Sequence, residues 1–113
     1  MTCGSLEIDI LNSVWTLTDN GQGRDISIQD VVDHLTSRGI VRAYTTIKTV
    51  MDRLTTKCIL VRYRVGKKFY YKNAMSQEDL ATSAVDEVIA KFFGGNATNL
   101  IRFVESNYNV LVK

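Results

Sequence analysis

The chain of 113 residues has the length of one domain, and its apolar content of 45% is ordinary for a globular protein and argues against disorder. No apolar run approaches the ~20 residues of a membrane span and no signal peptide is recognisable, so we expect no membrane partner. Cys3 and Cys58 form no motif, and we expect two free thiols in a reducing cytoplasm.

Positive charge is concentrated in the middle of the chain. Residues 38–72 hold ten of the fourteen Lys and Arg residues and a single acid, Asp52, although the net charge of the whole chain is only +2. A basic segment of this kind is typical of a domain that binds a polyanion, usually nucleic acid. A solvated charged surface would give the same count, so charge alone leaves both interpretations open.

Two helices are predicted in the N-terminal third. Apolar residues recur at spacings of three and four over residues 6–17, and a polar, Gly-containing segment follows. Ser27, with Asp30 three residues later, has the form of a capping box and predicts the start of a second helix, which Gly39 ends. His34 is predicted on the surface of that second helix.

A third helix is predicted over residues 44–56, after a short connection. It repeats the apolar spacing of the second helix, and the pair forms a helix-turn-helix arrangement. The core predicted from these three helices contains Val14, Val31, Leu35, Ile47, Val50 and Leu54.

The pattern changes to a period of two over residues 59–72, which predicts a β-hairpin. We place a three-residue loop at 66–68, so that Val65 lies opposite Phe69. In this register most apolar side chains share one face, and the arginines share the other face with Tyr70. The hairpin would be the wing of a winged helix.

A fourth helix is predicted over residues 76–93, followed by a break at Gly94-Gly95 and a last helix capped by Asn96. The apolar band of the fourth helix is wider than one small domain needs, which often marks a partner surface; a purely internal role would give the same pattern. The predicted fold class is mainly α with a small β-hairpin: a winged helix-turn-helix domain over residues 1–74 and C-terminal helices over 75–113.

The polar side of the third helix is rich in threonine. Threonine is a poor helix former, so stability alone would not favour it there, whereas its hydroxyl and methyl groups can contact base edges in the major groove. We predict base contacts from this helix by Thr45, Thr46, Lys48 and Thr49, and a further DNA contact from the same helix by Arg53. Phosphate contacts are predicted for Arg42, Arg62, Arg64, Lys67, Lys68 and Tyr70.

The sequence offers no catalytic constellation. His34 is the only histidine, no Cys or Ser is paired with a base at motif spacing, and no Gly-rich phosphate loop is present. Two distant cysteines and one histidine are too few for a metal site. We therefore expect no enzyme activity, no metal and no cofactor.

Residues 43–54, with the sequence AYTTIKTVMDRL, strongly resemble the penicillinase-repressor family of bacterial winged-helix regulators (the BlaI/MecI/CopY group). The likeness extends over about residues 5–105 and includes Trp15, Gly66 and Phe103. It implies a homodimeric repressor that binds a palindromic operator in double-stranded DNA. The dimerisation residues would be Leu80, Ala84, Val88, Phe92, Leu100, Ile101 and Val104.

The chain departs from the family pattern at several positions. Cys58 stands where the family usually has glycine, so a left-handed helix end there would be strained. The paired-cysteine motif of the copper-responsive members is missing, which argues against copper sensing. Arg102 precedes Phe103, where the antibiotic-responsive members have a cleavable Asn-Phe bond, which argues against induction by that cleavage. The tail is also short.

A second hypothesis is a winged-helix module that serves only protein–protein assembly. The basic hairpin and the threonine-rich helix favour DNA binding, because an assembly module needs neither. A small enzyme is the least favoured class.

Overall fold

The computed structural model describes residues 4–21 and 24–109. These residues form five helices and one antiparallel two-stranded hairpin, which confirms the predicted mainly α class. In chain order the elements are α1 (Ser5–Gly21), α2 (Ile28–Ser37), α3 (Tyr44–Thr56), β1 (Leu60–Val65), β2 (Lys68–Asn73), α4 (Gln77–Phe92) and α5 (Ala97–Asn107). We call the β1–β2 hairpin the wing. The prediction about the Cys3 thiol lies outside the described residues.

The described residues form two compact units, one over 4–77 and one over 78–109. In the first unit, α1, α2 and α3 pack on one another, and the wing packs against α1 and α3. All six of the core residues predicted from the helical pattern are buried. The apolar period of each helix therefore identified the face that packs inwards.

Local sequence determines the ends of α2. The Ser27 hydroxyl accepts from the amide of Asp30 (3.1 Å), and the Asp30 carboxylate accepts from the amide of Ser27 (2.9 Å), which confirms the capping box. At the other end Gly39 has a φ of +81°, as predicted for the residue after the helix. The prediction for α1 was too short, since that helix continues to Gly21.

Cys58 ends α3 in a left-handed conformation, with a φ of +63°. The amide of Cys58 donates to Thr55 O (3.0 Å) and the amide of Ile59 donates to Leu54 O (2.9 Å), which is the hydrogen-bond pattern of a Schellman motif. Among the described residues Cys58 is the only non-glycine with a positive φ. The side chain is therefore accommodated at a position that favours glycine.

The predicted wing register is wrong by one residue. Val65 pairs with Lys68, not with Phe69, so the loop contains two residues, Gly66 and Lys67. Gly66 has a φ of +63° and Lys67 does not have a positive φ, which is the pattern of a type II′ turn. This turn follows the right-handed twist of the strands, and the sequence argument for a longer loop did not weigh that advantage.

The shifted register also changes which side chains share a face. Arg62 lies beside Tyr71, and Tyr63 lies beside Tyr70, so Tyr70 is on the face opposite Arg62. The predicted placement of Tyr70 with the arginines is therefore wrong. Leu60 and Tyr71 are buried at the base of the wing, whereas the apolar side chains near its tip are exposed. The alternation of apolar residues near the tip therefore did not predict burial.

Two hydrogen bonds join segments of the first unit that are distant in sequence: one joins the wing to the segment before α2, and the other joins α2 to α1. The amide of Tyr71 donates to Ile26 O (2.8 Å), which gives the wing an isolated β-bridge to the segment before α2. His34 Nδ1 lies 2.8 Å from the hydroxyl of the fully buried Ser13. The predicted surface position of His34 is corrected, since the ring is half-buried and joins α2 to α1.

The second unit contains α5 and most of α4. Gly94 and Gly95 both have positive φ and separate the two helices, and the Asn96 side chain accepts from the amide of Thr98 (2.8 Å), as predicted for a cap. Phe103 packs against Phe93, with ring centroids 5.4 Å apart. Several apolar side chains of this unit are exposed, notably Val85, Val88, Phe92, Ile101, Phe103 and Tyr108.

Candidate nucleic-acid interface

The rotation of α3 decides which of its side chains reach solvent. Its apolar residues Ile47, Val50, Met51 and Leu54 are buried, so the residues between them point outwards. All five residues of this helix that were predicted to contact DNA are exposed: Thr45, Thr46, Lys48, Thr49 and Arg53.

The exposed threonines of α3 differ in their hydrogen bonding. The Thr49 hydroxyl donates to Thr45 O (2.9 Å), one turn earlier, so its proton is engaged within the helix. Thr46 makes no hydrogen bond through its side chain to any residue of 4–21 or 24–109. Its hydroxyl is therefore available both as a donor and as an acceptor.

Asp52 lies at the centre of the basic segment and contacts three other side chains. Its Oδ2 accepts from Lys48 Nζ at 2.7 Å, one turn along α3. Its Oδ1 accepts from the Tyr71 hydroxyl at 3.3 Å and lies 3.8 Å from Arg62 Nη1. One carboxylate thus contacts its own helix and both strands of the wing.

These contacts alter the proton affinity of two neighbours. The hydrogen bond and the negative charge of Asp52 raise the pKa of Lys48, so its ammonium group stays charged at any physiological pH. Burial, and next the charge of Asp52, raise the pKa of the Tyr71 phenol, so the hydroxyl stays protonated and able to donate.

Cationic side chains of the wing lie close to its aromatic rings. The Arg62 guanidinium lies 4.6 Å from the centroid of the Phe69 ring, a cation–π distance. Arg64 Nε donates to Gly66 O (2.8 Å), which holds this side chain at the turn. Lys67 and Lys68 are exposed at the tip. With Lys72, which is also exposed, the wing presents five cations, of which Arg62 and Arg64 are oriented by neighbouring groups.

Tyr63 and Tyr70 form the other face of the wing, with ring centroids 6.2 Å apart. The Tyr63 hydroxyl donates to the Asp25 carboxylate, and this bond raises the pKa of Tyr63 to about 12. The bond ties the wing to the segment before α2, in addition to the backbone bridge at Ile26.

An open groove of about 800 Å³ lies between α3, the start of α2 and the wing. Four cationic side chains and two carboxylates line it, so its net charge is positive. Lys48, Arg62, Lys68 and Tyr70 of the predicted contact residues meet in this groove, together with residues that the sequence argument did not select: Arg24, Tyr44, Phe69 and Tyr71.

The other predicted contact residues do not line the groove. Thr45, Thr46, Thr49 and Arg53 are exposed elsewhere on α3, and Arg64 and Lys67 extend along the wing. Arg42 is exposed before α3 and donates to Val41 O (2.8 Å). The predicted DNA-contact residues are therefore divided between the groove and the exposed surface beside it.

Two charged residues were missed by sequence reasoning. Arg24 was left out because it lies outside the basic segment; it pairs with Asp30 at 3.2 Å at the start of α2. Asp52 was noted only as the single acid of residues 38–72. Its spacing of four from Lys48 was the signal available in sequence. Its contacts with the wing could not be found in that way.

The family comparison decides the class of protein that presents this surface. The family model described as penicillinase repressor matches residues 3–110, nearly the whole chain. The chain belongs to the penicillinase repressor family. Membership confirms the resemblance inferred from residues 43–54 and supports a transcriptional repressor in place of an enzyme.

A solved structure supports the winged-helix fold of this penicillinase repressor family member. The ferric uptake regulator from Francisella tularensis, determined with iron, matches at a TM-score of 0.55 and 17% sequence identity. The match covers 68% of this chain and 56% of that regulator, so the chain spans little more than half of its length. At this identity the likeness shows the fold alone. A search of curated proteins found no match.

Two further findings concern the described residues only. None of their helices is long and apolar enough to cross a membrane. They contain no group of three or more His, Cys, Asp or Glu side chains placed to hold a metal ion.

Proposed function

We propose that this chain is a sequence-specific transcriptional repressor that binds double-stranded DNA as a homodimer. The observation that carries the proposal is the exposed polar side of α3 beside a cationic wing, in a member of a repressor family. In this proposal α3 is the recognition helix and lies in the major groove. The N-terminal half of such a helix lies deepest, which gives Thr45, Thr46, Lys48 and Thr49 the base contacts and Arg53 a place at its margin.

The wing and the residues around it would contact the sugar–phosphate backbone. Arg and Lys side chains neutralise phosphates without reading sequence, so these contacts orient the recognition helix. We assign this role to Arg42, Arg62, Arg64, Lys67, Lys68 and Tyr70, the last through its hydroxyl.

The unit over residues 78–109 would form the dimer. Phe92 is 75% exposed and Ile101 is 54% exposed in the single chain, which is unusual for large apolar side chains unless a partner covers them. Ala84 and Val88 are also exposed, and Leu100 and Val104 are half-buried. Leu80, the seventh predicted dimer residue, is buried in the single chain and does not contribute to this surface.

Two-fold symmetry has a consequence for the operator. A symmetric dimer presents two recognition helices about 34 Å apart, or a multiple of that distance, and so requires an inverted repeat with half-sites about ten base pairs apart. A repressor acts where the chromosome lies, so we place the protein in the cytoplasm.

The salt dependence of DNA binding tests this proposal. If each protomer neutralises about four phosphates, the dimer should show a log–log slope of the association constant against salt of about −7. The measurement is fluorescence anisotropy on a duplex selected by the protein from a random pool. A slope shallower than about −2 would mean that the wing does not follow the DNA backbone and would favour the assembly-module alternative.

A further inference from the structure

The only acid within residues 38–72 lies among the side chains that we assign to DNA contact. The Asp52 carboxylate is 2.7 Å from Lys48 Nζ and 3.8 Å from Arg62 Nη1. Both of these cations line the groove between the recognition helix and the wing. A negative charge at this position repels phosphate, so by itself it weakens the binding of DNA to this surface.

We propose that Asp52 is a positioning and specificity-determining residue, which holds Lys48 and Arg62 between the recognition helix and the wing and so restrains sequence-independent binding to phosphate. This inference rests on the proposed DNA-binding function. A cation that is already paired gains less from a phosphate, because the new contact replaces an existing one. Binding to an arbitrary duplex is thereby weakened, whereas a cognate duplex adds base contacts by Thr45, Thr46 and Thr49, which do not depend on this exchange.

The charge of Asp52 has little part in holding the fold together. Its side chain is 36% exposed, and ion pairs open to solvent contribute little to stability. The hydrogen bond from Tyr71 to Oδ1 could be accepted equally well by the oxygen of a neutral amide. Arg62 also packs on the Phe69 ring, which keeps its side chain on the wing without the carboxylate. Replacing the charge therefore leaves the other contacts of the wing in place.

The Asp52→Asn substitution removes the charge and keeps the shape. Lys48 and Arg62 then become available for phosphate, and if one additional phosphate is neutralised per protomer the salt slope of the dimer steepens by about 2. Affinity for a duplex without the operator should rise about tenfold at 0.1 M salt, since a repulsive charge is lost and a cation is released. Affinity for the cognate duplex should rise less, so the ratio of the two affinities falls.

The experiment uses the full-length protein and two probes. One probe is the duplex that the wild-type protein selects from a random pool, and the other is a scrambled duplex of the same composition. Dissociation constants are measured by fluorescence anisotropy over about 0.05 to 0.3 M KCl, a range in which the slope is well defined. Asp33→Asn is the matched control, because Asp33 is an exposed acid on α2 in the same unit, bonded to Gln29.

Two further variants connect the effect to the proposed contact. Asp52→Glu restores the charge and should return the affinity ratio towards the wild-type value. Lys48→Gln should flatten the salt slope less than Arg64→Gln, because Lys48 is paired with Asp52, whereas Arg64 forms no ion pair within the described residues. This last comparison keeps the proposal testable even if Asp52→Asn fails to fold, which thermal unfolding by circular dichroism would show.

The outcomes separate a failure of the role proposed for Asp52 from a failure of the proposed DNA binding. A steeper slope and a smaller affinity ratio for Asp52→Asn, absent from Asp33→Asn, support the inference. Equal losses on both duplexes with an unchanged slope would overturn it and leave Asp52 a structural residue. If Asp52→Asn matches Asp33→Asn while the wild type selects a duplex, only this inference fails. If the wild type selects no duplex, the proposed function fails and the inference fails with it.

Discussion

Lys57 Nζ, at the end of α3, donates to the Glu7 carboxylate of α1 at 3.1 Å. Glu7 is only 8% exposed, and its other oxygen accepts from the amide of Gly4 at 3.0 Å. The amide hydrogen bond, and next the hydrogen bond and charge of Lys57, lower the pKa of Glu7 below its ordinary value of 4.5 despite the opposing effect of burial. A charged pair thus connects the end of α3 to α1 and helps to fix the orientation of α3.

This pair should make stability depend on pH in acid. Because the folded pKa of Glu7 is lowered, its contribution is fully present above the unfolded value of 4.5 and is lost as the pH falls through the folded pKa. Glu7→Gln should lower the free energy of unfolding by about 1–2 kcal/mol at pH 7, and the difference from wild type should shrink below pH 4.5. Urea unfolding followed through Trp15 fluorescence measures this difference.

The same change at Glu105 serves as the control for Glu7. Glu105 is exposed on α5, and its replacement by Gln should alter stability by less than about 0.5 kcal/mol. A loss for Glu7→Gln that is constant from pH 7 to pH 3 would contradict the role assigned to the charge.

Cys58→Gly should stabilise the protein. The left-handed backbone at Cys58 costs a residue with a Cβ about 1 kcal/mol, a cost that glycine does not incur. The free energy of unfolding should therefore rise by roughly that amount, reduced by the entropy that glycine adds to the unfolded chain. Chemical denaturation under reducing conditions measures the change. Cys58→Ala retains the Cβ and should give no gain; an equal gain for alanine would assign the effect to the thiol.

Two substitutions should separate base reading from backbone contact. Lys67→Ala at the wing tip should weaken binding to all duplexes alike and flatten the salt slope, whereas Thr46→Ala should weaken the cognate duplex by about 1–2 kcal/mol more than a scrambled one. Lys91→Ala removes the same charge as Lys67→Ala, but from α4, and should leave DNA binding unchanged. Identical profiles for Lys67→Ala and Thr46→Ala would remove the assignment of α3 as the reader.

Phe92→Asp should dissociate the proposed dimer. An unpaired carboxylate placed in an apolar interface should cost at least about 2 kcal/mol of association, or roughly thirtyfold in the dimer dissociation constant. Sedimentation velocity measures the assembly state. The first unit should stay folded, because its core residues, among them Val14 and Ile47, belong to residues 4–77.

Thr82→Asp provides the control for charge on the same helix. Thr82 is an exposed polar residue of α4, and its substitution should leave the dimer intact. A Phe92→Asp protein that remains dimeric would show that the interface lies elsewhere. A wild-type protein that is monomeric at micromolar concentration would contradict the homodimer.

The helices could be predicted from the sequence because their signals are local. The apolar period identified the inward faces, and the reciprocal bonds of Ser27 and Asp30 involve residues only three apart. The wing was predicted as an element but not in its register. A shift of one residue in the pairing of the two strands leaves the alternation within each strand unchanged. The register depends instead on the turn at Gly66 and on the packing of Tyr71.

The sequence by itself predicted the fold class and the family, and both are confirmed. These predictions rest on charge distribution, helix periodicity and the segment 43–54, which are properties of neighbouring residues. The contact surface predicted from the same features stays a prediction. Only the tertiary structure showed that Asp52 contacts Arg62 and Tyr71 of the wing, and that Arg24 lines the groove between α3 and the wing. These contacts unite a helix, both strands of a hairpin and the start of another helix. Sequence spacing carries no information about such distances, because packing of the whole unit, rather than any local period, brings the side chains together.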